Sequence, residues 1–86
     1  MKKFAVIGLG NFGLNIAKSL VENNCEVLGI DTDRNTVEKA KGFLTHAITG
    51  NPASRTVLDS VGINEYDAVI LSIGQEMVSS ILIALY

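Results

Sequence analysis

Phe4-Ala-Val-Ile-Gly-Leu-Gly-Asn-Phe-Gly13 decides how the rest of this 86-residue chain is read. Its first four residues are apolar without interruption, the pattern of a strand buried on both faces of a parallel sheet. From Gly13 the period changes, and Gly13, Ile16, Ala17, Leu20 and Val21 fall on one helical face, ended by Asn23-Asn24. Gly8, Gly10 and Gly13 thus form a G-x-G-x-x-G between a strand and a helix, the context that makes the motif informative. Gly8 permits the tight turn, Gly10 lets a pyrophosphate approach the backbone, and Gly13 lets the helix pack closely on the strand. The free N–H groups of the first turn, around Asn11 and Phe12, and the helix dipole favour an anion there. The competing reading is a glycine-rich turn with no ligand.

Outward from this run, Glu26 to Ile30 reads as a second strand ending at Asp31-Thr32-Asp33. An acid about 20 residues beyond the glycines is placed to accept hydrogen bonds from ribose hydroxyls. Asp31 can equally cap the next helix, and the two roles are compatible. Asp33 reads as the N-cap of a helix with Val37, Ala40 and Leu44 or Phe43 facing inward. Together the two acids disfavour a 2′-phosphate, and hence NADP. Thr45 to Ile48 is a weaker third strand, and Gly50-Asn51-Pro52-Ala53 follows it. Asn51 there reads two ways: as a donor and acceptor beside an adenine, or as a helix cap with Pro52 in the first turn. Val57, Leu58 and Val61 form an apolar helix face closed by Gly62, and Ala68 to Ser72 is a fourth strand. Ser72 and Gly74 lie where a ligand meets the switch point of such a sheet, although an ordinary strand-to-helix turn gives the same residues. From Gln75 onward the spacing predicts a helix, with Met77, Val78, Ile81, Leu82 and Leu85 in one stripe and Ile83, Ala84 and Tyr86 covering much of the rest.

The order β-α-β-α-β-α-β-α predicts a Rossmann-like α/β fold, a parallel sheet with right-handed crossovers, forming one domain over residues 1–86. A full doubly wound sheet has six strands. The four read here, with a last helix apolar nearly all round, lead to the expectation that the chain is truncated or completed by a second polypeptide; a simple boundary accounts for the same end. The net charge of −2 and the lack of a basic cluster argue against nucleic acid. Cys25 is the sole cysteine, and His46 the sole histidine, without a dyad partner. No metal-ligand spacing and no nucleophile–base pair is visible. Glycines break the apolar stretch after Met1-Lys-Lys, and no uncharged apolar run nears the roughly 20 residues of a membrane span. A cytoplasmic, non-enzymatic domain is the expectation.

Four blocks then fall in order: Phe4 to Gly13, Glu26-Val-Leu-Gly-Ile-Asp31, Gly50-Asn51, and Gly62-Ile63 leading to Tyr66-Asp67-Ala-Val-Ile70. In this the chain resembles the RCK domain, also called the KTN or TrkA-N domain, over nearly its whole length. The resemblance implies a cytoplasmic regulatory subunit or tail, peripheral to the inner membrane face through an integral potassium channel or transporter subunit. It implies NAD(H) or ATP/ADP in the cleft, and homo-oligomers: dimers that assemble into octameric rings whose shape changes with ligand and gates ion flux. The family glycines match Gly8, Gly10 and Gly13, the ribose-binding acid Asp31, and the residue near the adenine Asn51. The last apolar helix falls where family members pack against neighbouring subunits. Two departures stand out: Asn11 sits where the family often has a phosphate-reaching Arg, and Asn51 where it often has Asp.

Three functions follow: a nucleotide-binding regulatory domain of a potassium uptake system, the cofactor half of an NAD-dependent oxidoreductase, and a ligand-free interaction module. The second needs a catalytic acid–base residue and a substrate domain, and neither is seen in this sequence.

Overall fold

The computed structural model describes residues 2–73 and 80–85. Within them lie β1 (Lys3–Ile7), α1 (Asn11–Glu22), β2 (Glu26–Asp31), α2 (Arg34–Ala40), β3 (His46–Thr49), α3 (Arg55–Ser60), a 3-10 turn (Ile63–Glu65), β4 (Ala68–Ile73) and β5 (Ser80–Leu85). The sheet runs in the order β3-β2-β1-β4-β5. Four of its strands are parallel, with Phe4 beside Val27 on one flank and beside Ala68 on the other. The Rossmann-like alternation read from the glycine run is therefore present.

β1 is central because the chain works outward from it through β2 and β3, then crosses back to lay β4 on its other side. Alternate residues of each strand face opposite layers. Val6, Val27 and Ile70 pack with Leu14, Ile16, Ala17 and Leu20 of α1 and with Ala40 of α2. Ala5, Ile7, Leu28, Ile30 and Val69 pack with Leu58 of α3 and with Val61, Ile63 and Tyr66 beyond it. Val6, Val27 and Ile30 have no accessible surface. Burying each such side chain contributes roughly 1.5–3 kcal/mol. Asn24, at φ 64°, turns the chain out of α1 in the left-handed conformation that asparagine tolerates.

The C-terminal part departs from the sequence reading. The expected helix from Gln75 is replaced over residues 80–85 by β5, antiparallel to β4 with Ile70 beside Ile83; residues 74–79 lie outside the described part. Periodicity alone does not separate a buried helix from a strand in a short apolar run, and Ile81-Leu82-Ile83 also suits a strand. β4 offers the deciding feature, a second edge of backbone N–H and C=O groups that β5 pairs.

At the sheet end away from the glycines, the Lys3 ammonium lies 4.7 Å from the ring centre of buried Tyr66 and 3.7 Å from Glu26. Burial raises the Tyr66 phenol above its ordinary value of 10.0, with Lys3 opposing. The folded protein then holds this proton at a pH where the unfolded chain releases it. The contribution is complete below pH 10.0 and is lost as pH rises from there through the higher folded value. Stability of Tyr66→Phe, followed by denaturant unfolding across this range, is expected to fall less steeply with alkali than wild type.

Candidate functional site

The ends of β1, β2 and β4, with the loop that follows β3, open into one cleft of about 390 Å³. Ile7, Gly8 and Gly10 form its floor, Ile30 to Asp33 and Thr36 one wall, and Pro52 and Ser72 the remaining sides. This is the switch point of the sheet, where the crossover from β1 leads away to β2 on one side while β4 lies on the other, and a crevice opens between β1 and β4.

Each glycine has a distinct physical reason. Gly8 sits at φ 93°, a conformation L side chains rarely adopt, and its N–H donates to the Ile30 carbonyl at 2.8 Å. A Cβ on Gly13 would strike the Gly8 carbonyl oxygen and lie 3.1 Å from Ser72 Oγ, so α1 reaches β1 only without that atom. At Gly10 a Cβ would meet nothing within 4 Å. The space before it is open, which fits a phosphate group approaching the backbone. No side chain caps α1 at Gly10. Its first-turn N–H groups, with no partners inside the helix, are thus left for an anion. Asn11 and Phe12 begin this helix with exposed side chains that do not line the cleft, and half of Phe12 is accessible.

Leu9, between two glycines, is more deeply buried than its motif position suggests. It is 2% accessible and lies over Gly29 with Leu44. Its N–H donates to Asp31 Oδ2 at 2.7 Å, while Asp31 Oδ1 accepts from the Asp33 N–H at 2.9 Å. Both carboxylate oxygens are thus oriented by backbone, and each keeps a lone pair that a ribose hydroxyl can use. Asp31 does not itself cap α2, a role that falls to Asp33; it holds the turn that leads into the helix and lines the cleft. Asp33 caps α2, accepting from the Thr36 N–H at 3.3 Å and the Thr36 hydroxyl at 2.6 Å. The Thr36 hydroxyl, with further backbone bonds and Lys39, holds the Asp33 carboxyl below its ordinary value. Thr36 was not legible as a cleft residue, since nothing in its spacing marks it.

Asn51 does not cap α3, one of its two readings. Its Oδ1 accepts from Ala53 N–H at 2.9 Å in a local turn, and α3 begins three residues later than anticipated, capped by Ser54. Asn51-Pro-Ala-Ser54 contains two capping residue types, and the asparagine spends its oxygen on the turn. Pro52 rather than Asn51 lines the cleft. Ser72 stands at the cleft as expected, and Gly74 lies outside the described residues.

Asp31 and Asp33 are the ionisable side chains of the cleft lining, and no Lys, Arg or His stands among the described residues there. Among the described residues no group of three or more His, Cys, Asp or Glu could hold a metal ion, and no helix is long and apolar enough to cross a membrane.

Comparison with known proteins gives a consistent answer. The model of the TrkA-N domain family matches residues 4–86. The Ktr system potassium uptake protein C of Bacillus subtilis is 40% identical over 84 residues, 98% of this chain and 38% of that protein. The Ktr system potassium uptake protein A of Vibrio alginolyticus is 38% identical over the same shares. The Trk system potassium uptake protein TrkA of Mycobacterium tuberculosis is 28% identical over 93% of this chain and 36% of its own length. The chain therefore spans well under half of the relatives it matches.

Proposed function

The chain belongs to the TrkA-N domain family, and from that premise we propose that it is the nucleotide-binding regulatory domain of a potassium uptake system. The observation that carries the reading is the pairing, in one cleft, of an uncapped glycine-rich helix start with the backbone-oriented carboxylate of Asp31. Gly8, Gly10 and the first-turn amides of Asn11, Phe12 and Gly13 receive the phosphates. Asp31 accepts from the adenosine ribose, and Pro52 and Asn51 flank the base. Ser72 borders the far half of a dinucleotide. NAD(H) and ATP/ADP are the ligands proposed. The phosphates meet amide dipoles rather than a side-chain cation in the described lining. This favours the diphosphate of NAD(H) or ADP over the more highly charged ATP.

Regulation follows from differential binding. Ligands that contact the glycine loop and the β4 end differently shift the population between conformations of a homo-oligomer, and a membrane transporter subunit reads that shift at the inner face of the membrane. Binding, orientation and charge selection are what this lining offers. Proton transfer has no acid–base pair here among the described residues, so the oxidoreductase reading has no observation in its favour.

The test is thermal unfolding with NAD, NADH, ADP, ATP and NADP, each alone, together with the mass in solution. A ligand at 100 times its dissociation constant adds roughly 2.7 kcal/mol. Stabilisation by NADH or ADP on a species larger than a monomer is expected. Absence of any shift with all five nucleotides refutes the proposal.

A further inference from the structure

We propose that Thr36 is a positioning residue that selects adenosine ligands with a free 2′-hydroxyl against those with a 2′-phosphate. This deepens, and rests on, the nucleotide-binding reading of the cleft. Thr36 is half-buried on the first turn of α2, and its backbone N–H and its hydroxyl converge on one oxygen of Asp33, at 3.3 and 2.6 Å. Asp33 is otherwise a surface carboxylate, free to swing into solvent. The hydroxyl bond pins it to the wall that Asp31 and Thr32 share with it.

The Asp33 N–H is itself fixed on Asp31 Oδ1 at 2.9 Å. The ribose end of the cleft thus presents two oriented negative charges, and no cation stands beside them in the described lining. A hydroxyl donates to such a wall. A phosphate dianion meets the two carboxylates instead, and near the surface like charges a few ångströms apart repel by an amount that changes binding about tenfold or more. Loss of the Thr36 hydroxyl lets the Asp33 carboxylate leave the wall, and the repulsion weakens with distance and with salt screening.

The experiment is calorimetric titration of the purified protein with 5′-AMP and with adenosine 2′,5′-bisphosphate at low salt, and the readout is the ratio of the two affinities. Wild type is expected to favour 5′-AMP by at least about tenfold. Thr36→Val is expected to narrow the ratio by about threefold or more, and Thr36→Ser, which keeps the hydroxyl, to restore it. Asp33→Asn keeps a capping side chain on α2 and removes the charge, so it is expected to narrow the ratio at least as far, whatever the fate of Thr36→Val. A ratio unchanged in Thr36→Val overturns the role of Thr36 even where Asp33→Asn narrows it, and a ratio unchanged in both removes the Asp33 charge from the selection as well, while nucleotide binding stays intact. Binding of neither nucleotide by wild type overturns the underlying reading and this inference with it.

Discussion

Gly13→Ala is expected to cost about 2–3 kcal/mol and to abolish nucleotide-dependent stabilisation. The added methyl collides with the carbonyl oxygen of Gly8, which is backbone and is held by the hydrogen bond from Gly8 N–H to Ile30. Neither partner can rotate away, so α1 must lift from β1. Overpacking of this kind typically costs 1–3 kcal/mol, and the roughly 0.5–1 kcal/mol by which alanine favours a helix interior offsets only part of it. Gly29→Ala is the control. There the new Cβ falls 2.7 Å from Leu44 Cδ1 and 2.8 Å from Leu9 Cδ1, the far ends of flexible side chains. Leu9 and Leu44 are buried, so the methyls must shift within the core, but side-chain ends yield more readily than backbone and a strand gains from losing a glycine, so a smaller cost of about 1–2 kcal/mol is expected. Chemical denaturation of both variants checks the contrast. Equal costs at the two positions would show that the tight helix-to-strand contact does not govern stability.

Asp31→Ala is expected to weaken nucleotide binding by about two orders of magnitude and to cost about 2 kcal/mol of stability without ligand. The two effects have separate origins. The stability loss comes from two N–H groups, Leu9 and Asp33, that lose a charged acceptor at 2.7 and 2.9 Å. Hydrogen bonds to charged groups contribute about 1.5–3 kcal/mol each, and the exposed Asp33 N–H recovers part of its share from water. The binding loss comes from two ribose hydroxyls left without their acceptor, at roughly tenfold each. Asp31→Asn retains an acceptor oxygen for one N–H but turns an amide donor toward the other, so it falls between wild type and alanine on both measures. Denaturant unfolding of the apo protein and calorimetric titration separate the two losses. An Asp31→Ala variant that binds NADH or ADP as wild type does would remove the ribose contact from the proposed function.

What the sequence made legible is what backbone geometry demands. Gly8 needs a positive φ, Gly13 needs the absence of a Cβ, and Asp33 needs a free N–H three residues on, and each leaves a residue type at a fixed offset. The apolar blocks of β1, β2 and β4 are likewise periodic signals. The features that escaped depend on competition between near-equal local choices or on tertiary contacts. Asn51 and Ser54 both cap helices well, and the winner is set by the turn at Pro52-Ala53. Ile81 to Leu85 suits a helix or a strand, and the open flank of β4 decides for the strand. Leu9 reads as a loop residue until Gly29, twenty positions later, proves to have no side chain in its way.

The placement of β1 between β2 and β4 has a consequence for how the protein acquires its shape. β1 meets β2 early, but its pairing of Phe4 with Ala68 closes a separation of 64 residues, so the central strand is flanked on both sides only after β4 has been made. Such non-local closure slows folding, because the loop entropy is lost before the contact rewards it. The glycine loop belongs to the first strand and Ser72 to the fourth, so no nascent fragment lacking β4 holds a finished crevice. A ligand that needs both sides of the crevice is therefore available only to chains that have completed this long-range step.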